Sequence, residues 1–116
     1  MRKIVVREKE YNCEFEFTLD MISGKWKGLI LWYLKDGTLR YGELKKELGN
    51  ITQKMLTQTL RELETTGLVT RKVYPVVPPK VEYTMTERGA KLVPIFVELI
   101  EWGREAIAED GGTNEA

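Results

Sequence analysis

The stretch that decides the fold is NITQKMLTQTLRELE at residues 50–64, which predicts one amphipathic helix. At about 100° per residue, an apolar stripe runs along one side of that helix and consists of Met55, Leu56, Leu60 and Leu63. Thr59 falls inside the stripe, so we assign it to packing. The opposite face carries mostly uncharged hydrogen-bonding groups in place of the alternating Glu and Lys of an ordinary solvated helix, namely Gln53, Lys54, Thr57, Gln58 and Arg61. That polar face is therefore a candidate for contact with another molecule.

A second, shorter helix is predicted immediately upstream, over YGELKKEL at residues 41–48. Leu44 and Leu48 share one face of it, and Gly49 is expected to end it. Thr52 lies where a hydroxyl cap for the next helix belongs. Two helices joined by a short turn that contains glycine make a helix-turn-helix candidate.

A β-hairpin is predicted downstream, over residues 69–85. Gly67 should end the preceding helix, after which LVTRKVY alternates as a strand does. The sequence PVVPP at 75–79 predicts a stiff loop, since proline cannot donate to a sheet ladder. The second strand, KVEYTM, places Val81, Tyr83 and Met85 on one face, and the dipeptide at 39–40 is expected to pair as a small strand.

Further helices and strands are predicted before and after the helix-turn-helix and the hairpin. Residues 1–17 alternate loosely and predict a strand or an extended arm, and residues 18–23 predict a short helix capped by Thr18. Residues 25–35 predict the buried central helix, with apolar side chains at helical spacing: Trp26, Leu29, Ile30, Tyr33 and Leu34. Thr86 should cap a last helix, and Gly89 and Pro94 predict a bend or a break near its start.

The last helix carries more apolar surface than packing on a small domain requires. We therefore predict dimerisation through its apolar residues, while a broad contact with the chain's own core remains the alternative. The predicted interface residues are Ile95, Phe96, Leu99, Trp102 and Ile107. Residues 1–109 are expected to form a single domain, and residues 110–116 a disordered tail.

Composition excludes several classes of function. The 116 residues contain no His and one Cys, so an internal disulfide is excluded and neither a catalytic triad nor a metal site is expected. We accordingly predict no enzymatic activity, no cofactor and no metal. The chain has no apolar run long enough for a membrane span and no apolar signal core at its N-terminus, so a cytoplasmic protein with no membrane partner is expected.

The formal net charge of zero hides an uneven distribution of charge. Residues 25–91 carry thirteen Lys and Arg against seven Asp and Glu, a net charge of +6, whereas residues 92–116 carry one against six. Basic residues concentrated in the middle of the chain favour a polyanionic partner there, although chance clustering on solvated faces would give the same count.

Together, the predicted elements have the layout of a winged helix-turn-helix: a mainly α fold with a three-helix core, a small β-hairpin wing and a long C-terminal dimerisation helix. In that layout the second helix of the motif enters the major groove of double-stranded DNA. The candidate DNA-binding residues are Thr52, Gln53, Lys54, Thr57, Gln58 and Arg61 on this helix, Arg40, Lys45 and Lys46 near the backbone, and Arg71, Lys72 and Lys80 on the wing. A winged helix used only for protein contacts is the alternative.

Several strings make the resemblance more specific. They are Cys13 followed by TLDMISGKWKGLIL, then LRYGELKKEL, then ITQKMLTQTLRELETTGLVTRKVYPVVPPKVEYTMTERG, and finally EWG. With these strings the chain resembles the HxlR-type winged helix-turn-helix transcription regulators over residues 13–103. The resemblance implies a homodimer, built through the terminal elements, that binds a pseudo-palindromic operator with one recognition helix per half-site. By position, the recognition helix is 52–66 and the wing 69–85, and no catalytic activity is implied.

Cys13 is a candidate redox sensor on the same resemblance, because some members of the family sense oxidants or electrophiles through a cysteine at this place. The family often has proline after this cysteine, whereas Glu14 follows it here. Acidic neighbours, which also include Glu10 and Glu16, disfavour the reactive thiolate and favour a packed structural thiol. Both interpretations of Cys13 stay open.

Overall fold

The computed structural model describes residues 3–113 and confirms a mainly α winged helix-turn-helix fold with small antiparallel sheets. Its elements, in chain order, are β1 (Ile4–Val6), β2 (Lys9–Tyr11), α1 (Glu14–Ile22), α2 (Lys27–Leu34), β3 (Leu39–Arg40), α3 (Tyr41–Leu48), α4 (Gln53–Thr65), β4 (Val69–Tyr74), β5 (Lys80–Met85), α5 (Glu87–Ala90) and α6 (Val93–Glu109). Within residues 3–113, none of the helices combines the length and the apolar character needed to cross a membrane.

The hydrophobic core is built around α2, as the sequence predicted. Ile30, Leu31 and Leu34 of this helix are buried against apolar residues of α3, α4 and the wing. Burial of each such side chain contributes about 1.5–3 kcal/mol, so these contacts dominate the packing of the four elements. One expectation was wrong: Leu29 is 40% exposed, because the face of α2 that packs on the core is the one that carries Ile30, Leu31 and Leu34.

The N-terminal residues form a β-hairpin, a more definite structure than the predicted arm. Strands β1 and β2 pair antiparallel with Ile4 opposite Tyr11, and residues 7–8 turn the chain with positive φ angles. The ring of Tyr11 packs edge-on against Phe17 of α1, with centroids 5.3 Å apart. Its hydroxyl donates to Asp20 Oδ2 at 2.6 Å, so Tyr11 contacts two α1 residues that lie about one helical turn apart and attaches the hairpin to α1.

Helix α1 begins earlier than predicted, at Glu14 and not at Thr18. Cys13, with φ −158° and ψ 168°, is the extended residue before the first turn, and Thr18 lies inside the helix. The Thr18 hydroxyl donates to the Glu14 carbonyl oxygen at 2.9 Å, the back-bonding that Thr adopts within a helix. The packing of Phe17 on the hairpin extends the helix upstream, and this contact is invisible to local capping rules.

The predicted break in the last helix is confirmed. The Thr86 side chain accepts from the Gly89 N–H at 3.1 Å and caps α5, and α6 then starts anew with Pro94 in its first turn. At its other end, α6 closes with a hydrogen-bonded turn over residues 110–112, in which Gly112 N–H donates to the Ile107 carbonyl at 2.8 Å. This turn occupies part of the predicted tail, and residues 114–116 lie outside the described part of the chain.

The wing is the predicted hairpin, completed by the predicted small strand. The sheet order is β3-β5-β4, with Leu39 opposite Tyr83 and Val69 opposite Met85. Tyr83 and Val69 are buried, so the base of the wing packs on the core while its proline-rich tip projects.

A close backbone approach holds the wing, the end of α4 and α5 together. The Leu68 carbonyl accepts the Thr86 N–H at 3.0 Å, and the Thr86 hydroxyl donates to the Gly67 carbonyl at 2.6 Å. Gly89 lies so close that a Cβ on it would stand 2.5 Å from the Leu68 carbonyl oxygen and 2.7 Å from Met85 Cγ. Only glycine fits this place without a backbone shift.

We therefore expect Gly89→Ala to destabilise the protein by about 1–3 kcal/mol, the usual cost of overpacking. The measurement is urea unfolding followed by circular dichroism. Gly42→Ala is the matched control, because a Cβ on Gly42 meets nothing within 4 Å and alanine favours a helix. Equal midpoints for Gly89→Ala and wild type would contradict the close-approach account.

Candidate nucleic-acid interface

Helix α4 is anchored by its cap and by its apolar stripe. Thr52 caps it as predicted, with its side-chain oxygen accepting from the Met55 N–H at 3.1 Å. Leu56, Leu60 and Leu63 are each at most 1% exposed, which confirms the predicted packing face. The first four N–H groups of a helix have no partner within the helix, and the Thr52 side chain supplies a partner for one of them at the N-terminus of α4.

The exposed face of α4 is rotated relative to the prediction. Met55, assigned to the stripe, is 41% exposed, whereas Thr59 is 5% exposed and donates its hydroxyl to the Met55 carbonyl at 2.7 Å. On the other flank, Thr57 is half-buried with its hydroxyl 3.0 Å from that of Tyr41. Because α3 covers the flank at Thr57, the face opens toward the loop between α1 and α2. Thr59 is thus confirmed as a packing residue and Met55 is corrected.

The remaining predicted side chains of α4 lie together on one exposed face of the helix. Gln53, Lys54, Gln58 and Arg61 are all exposed there. Two residues that the sequence did not single out, Glu62 and Thr65, lie on the same face, four residues beyond Gln58 and Arg61. We call the surface formed by Gln53, Lys54, Thr57, Gln58, Arg61, Glu62 and Thr65 the α4 face.

The acidic Glu62 does not leave an uncompensated negative charge on the α4 face. Its carboxylate oxygen Oε2 lies 3.4 Å from Lys27 Nζ, and its Oε1 accepts from Gln58 Nε2 at 3.4 Å. Lys27 also donates to the Asp20 carbonyl at 3.2 Å, so the ion pair ties the start of α2 to α4. The face therefore keeps its cationic groups, Lys54 and Arg61, at the places where a polyanion would approach.

The cations of α3 divide into one that is used internally and two that are exposed. Lys45 is half-buried and donates to the Ile51 carbonyl at 3.3 Å, across the turn between α3 and α4. Lys46 and Arg40 are exposed, and the Arg40 N–H donates to Glu43 Oε1 at 2.8 Å at the start of α3. The three predicted cations are thus not equivalent, because Lys45 is hydrogen-bonded across the turn while Arg40 and Lys46 are exposed to solvent.

The wing cations are organised around one aromatic ring. Lys72 Nζ and Lys80 Nζ lie 4.8 Å and 4.6 Å from the ring centroid of Tyr74, a cation–π arrangement. The Tyr74 hydroxyl donates to Glu82 Oε1 at 2.9 Å, and that bond, followed by Lys80, holds the pKa of Glu82 below its usual value. Arg71, at the base of the wing, has its Nε 3.5 Å from Glu64 Oε1 of α4.

A concavity adjoins the α4 face at the loop between α1 and α2. It is lined by Ser23, Gly24, Lys25 and Trp26 of the loop and by Met55, Gln58, Thr59 and Glu62 of α4. Lys25 is exposed, with its Nζ 4.7 Å from the Trp26 ring centroid. The sequence predicted Lys25 inside the central helix. Because α2 begins only at Lys27, Lys25 lies in the loop before it, close to α4.

The terminal helices expose apolar side chains. On α6, the predicted residues Ile95, Leu99, Trp102 and Ile107 are between 50% and 72% exposed. Phe96 is the exception: it is 7% exposed and belongs to the chain's own core, so its assignment to an intersubunit contact is wrong. Phe96 lies one helical turn beyond Leu92, and both residues are on the side of α6 that packs against the core. Phe15 and Leu19, four apart on α1, are also exposed and were not predicted.

Cys13 is exposed at the start of α1, so the interpretation as a packed structural thiol is wrong. It lies at the junction between the N-terminal hairpin and α1, and its carbonyl accepts the Phe17 N–H at 3.2 Å. Its exposed thiol is open to reagents from solvent.

Comparison with known proteins decides the family. The model for the HxlR-like helix-turn-helix matches residues 21–110, from the end of α1 through the last turn of α6. The chain belongs to the HxlR-like helix-turn-helix family. Among relatives, it is 59% identical over 95 residues to YkvN of Bacillus subtilis (strain 168), described as an uncharacterized HTH-type transcriptional regulator, covering 82% of this chain and 80% of YkvN.

Solved structures of HypR, named a redox regulator, share this HxlR-like fold. The oxidised form superimposes with a TM-score of 0.75 at 46% identity, covering 90% of this chain and all of that one. The reduced form gives a TM-score of 0.76 at 50% identity, covering 80% of this chain and 92% of the HypR chain. The similarity therefore extends over the α4 face, the wing and most of the terminal elements.

Proposed function

We propose that this HxlR-like protein is a sequence-specific DNA-binding transcription regulator that inserts the α4 face into the major groove. The observation that carries the proposal is the α4 face itself: a capped helix whose exposed side combines amides, a lysine and an arginine and lies beside a basic wing. Such groups hydrogen-bond base edges and phosphates, and a catalytic role is not required of any of them.

The side chains divide by the contacts they suit. Gln58 and Arg61 are exposed on the α4 face and suit base edges, Gln pairing with adenine and Arg with guanine. Thr57 is held by Tyr41, whose hydroxyl also donates to the Gln53 carbonyl at 3.1 Å, so Tyr41 positions the first turns of α4. The phosphate contacts fall to exposed cations, namely Arg40, Lys46, Lys54, Arg71 and Lys72, with Lys25 added from the loop and the half-buried Lys80 from the wing.

Arg61→Ala should lower the preference for specific DNA more than it lowers binding to DNA in general. The probe is the duplex that the wild-type protein enriches from a random pool, here called the preferred duplex, compared with a scrambled duplex by fluorescence anisotropy. Loss of one bidentate base contact is expected to cost about 1–3 kcal/mol on the preferred duplex alone. For the wild type, affinity should fall steeply with salt, by a log–log slope of about −0.9 per phosphate neutralised.

Lys91→Ala is the control for the loss of a positive charge, because Lys91 is exposed between α5 and α6 and lies outside the proposed contacts. It should leave both affinities unchanged. An equal loss of binding to both duplexes in Arg61→Ala would contradict a base contact, and binding that ignores salt would contradict the regulator proposal as a whole.

The protein is proposed to act as a homodimer on a pseudo-palindromic operator, through the exposed apolar residues of α6. A two-fold dimer presents two copies of α4, and an operator with two symmetric half-sites matches that symmetry. Ile95, Leu99, Trp102 and Ile107 supply the apolar surface, and Phe15 and Leu19 of α1 add to it. Apolar surface on this scale is expected to be covered in the working protein.

Trp102→Glu is expected to convert the dimer to a monomer. Trp102 is the most exposed of the predicted interface residues, and dimerisation of the variant would bury the Glu carboxylate there at a large cost in free energy. Sedimentation equilibrium measures the molecular mass. Val77→Glu is the matched control, since Val77 at the wing tip is 99% exposed and outside the proposed interface. A Trp102→Glu protein that keeps the mass of the wild type would place the interface elsewhere, and a wild type that is monomeric would remove the dimer from the proposal.

We also propose that Cys13 makes DNA binding responsive to oxidants. HypR, similar over most of this chain, is named a redox regulator, and Cys13 here is exposed. Since the chain has one cysteine, a disulfide must join Cys13 to a second protein molecule or to a small thiol. Such a thiol stays reduced in the cytoplasm, the location we propose, until an oxidant removes two electrons and two protons from a pair of thiols.

Treatment with diamide should change the affinity of the wild type for the preferred duplex, and dithiothreitol should restore it. Cys13→Ser should bind the preferred duplex as the reduced wild type does and should not respond to diamide. Non-reducing electrophoresis shows whether the oxidised species is a covalent dimer. A diamide response that persists in Cys13→Ser would eliminate Cys13 as the sensor.

A further inference from the structure

Met55 is an exposed apolar side chain in the first turn of a helix whose exposed surface is otherwise polar. The other three residues of the predicted apolar stripe, Leu56, Leu60 and Leu63, are at most 1% exposed, while Met55 is 41% exposed. Its backbone is fixed by the Thr52 cap, and its carbonyl is held by the Thr59 hydroxyl at 2.7 Å. The side chain is thus presented from a rigid place.

The surroundings of Met55 direct it toward the proposed DNA-facing side of α4. Met55, Gln58 and Glu62 follow one another at helical spacing and together line the concavity beside the loop between α1 and α2. Gln58 and Glu62 also belong to the α4 face, so Met55 lies at the edge of that face. The first turns of a recognition helix are the part that contacts base edges.

We propose that Met55 contacts the C5-methyl group of a thymine in the major groove and makes the protein prefer thymine at one position of each half-site. This inference rests on the proposed insertion of the α4 face into the major groove. It adds an apolar contact to the hydrogen-bonding side chains of that face.

The chemistry of the base edges selects thymine. Among the four bases, thymine alone presents an apolar methyl group in the major groove, whereas cytosine presents an amino donor and guanine two acceptors. An apolar side chain pressed against those polar groups would leave them without a hydrogen bond, which is unfavourable. The unbranched, polarizable Met side chain adapts to a methyl group on a neighbouring surface. Met55 therefore both favours thymine and disfavours the other bases.

The experiment replaces the thymines of the preferred duplex with deoxyuridine, one at a time within one half-site. This replacement removes the C5-methyl group and leaves the hydrogen-bonding groups of the base pair intact. Affinities are measured by anisotropy for the wild type, for Met55→Ala and for Met55→Leu, which keeps an apolar side chain of similar volume. Thermal unfolding of the three proteins controls for folding.

For the wild type, deoxyuridine at one thymine should weaken binding about fourfold, the factor expected for withdrawing one methyl group from an apolar contact. At the same position Met55→Ala should show no difference between thymine and deoxyuridine, while Met55→Leu should retain at least part of it. The loss of sensitivity in Met55→Ala, specific to one thymine, identifies the contacting pair.

Equal sensitivity of wild type and Met55→Ala at every thymine would overturn the inference and leave the proposed DNA binding intact. So would a wild type that is insensitive to every replacement. If no duplex is enriched from the pool and binding ignores sequence, the proposed sequence-specific recognition fails, and the role of Met55 fails with it.

Discussion

The close packing of Gly89 against the Leu68 carbonyl is the constraint on which the arrangement of the functional surfaces depends. Leu68 immediately precedes the first strand of the wing, Thr86 follows its last strand, and Gly89 lies in α5 on the path to α6. The Thr86 N–H donates to the Leu68 carbonyl at 3.0 Å, and Gly89 approaches the same carbonyl closely because it has no side chain. A dimer built on α6 would therefore hold its two α4 helices at a separation set largely by this junction.

Additional contacts fix the C-terminal half of α4 and leave its first turns open. Arg88 donates to the Thr66 carbonyl at 3.0 Å, Arg71 approaches Glu64 at 3.5 Å, and Lys27 approaches Glu62 at 3.4 Å. The N-terminal turns, by contrast, are positioned from one flank by Tyr41. The helix is consequently held along its inner side and at its far end, and the part expected to enter the groove remains accessible.

Local rules were sufficient for the features of the fold that arise from neighbours in sequence. The buried Leu56, Leu60 and Leu63 of α4, the Thr52 cap, the strand alternation of the wing and the break before Pro94 all appear as predicted. These features depend on spacing and on backbone chemistry within a few residues, which the sequence displays directly.

The errors arose where a distant element decides exposure. Thr57 is half-buried because Tyr41 of another helix covers it, whereas Met55 on the opposite flank borders an open concavity and is exposed. Phe96 packs inside although its spacing matches that of exposed neighbours on α6. Lys45, predicted to contact DNA, instead donates a hydrogen bond to the Ile51 carbonyl across the turn between α3 and α4. Helical periodicity assigns a face, but the flanks of that face depend on tertiary packing.

The most direct test of the central claim, that the α4 face lies in the major groove, is affinity cleavage of the preferred duplex. An iron–EDTA reagent is attached to Thr65→Cys in a Cys13→Ser background, since Thr65 lines the α4 face and no base contact is assigned to it. Cleavage is expected within both half-sites, and no cleavage is expected there from the same reagent on Glu105→Cys of α6. A bound duplex that the Thr65 conjugate leaves intact, or that the Glu105 conjugate cuts instead, would contradict that claim.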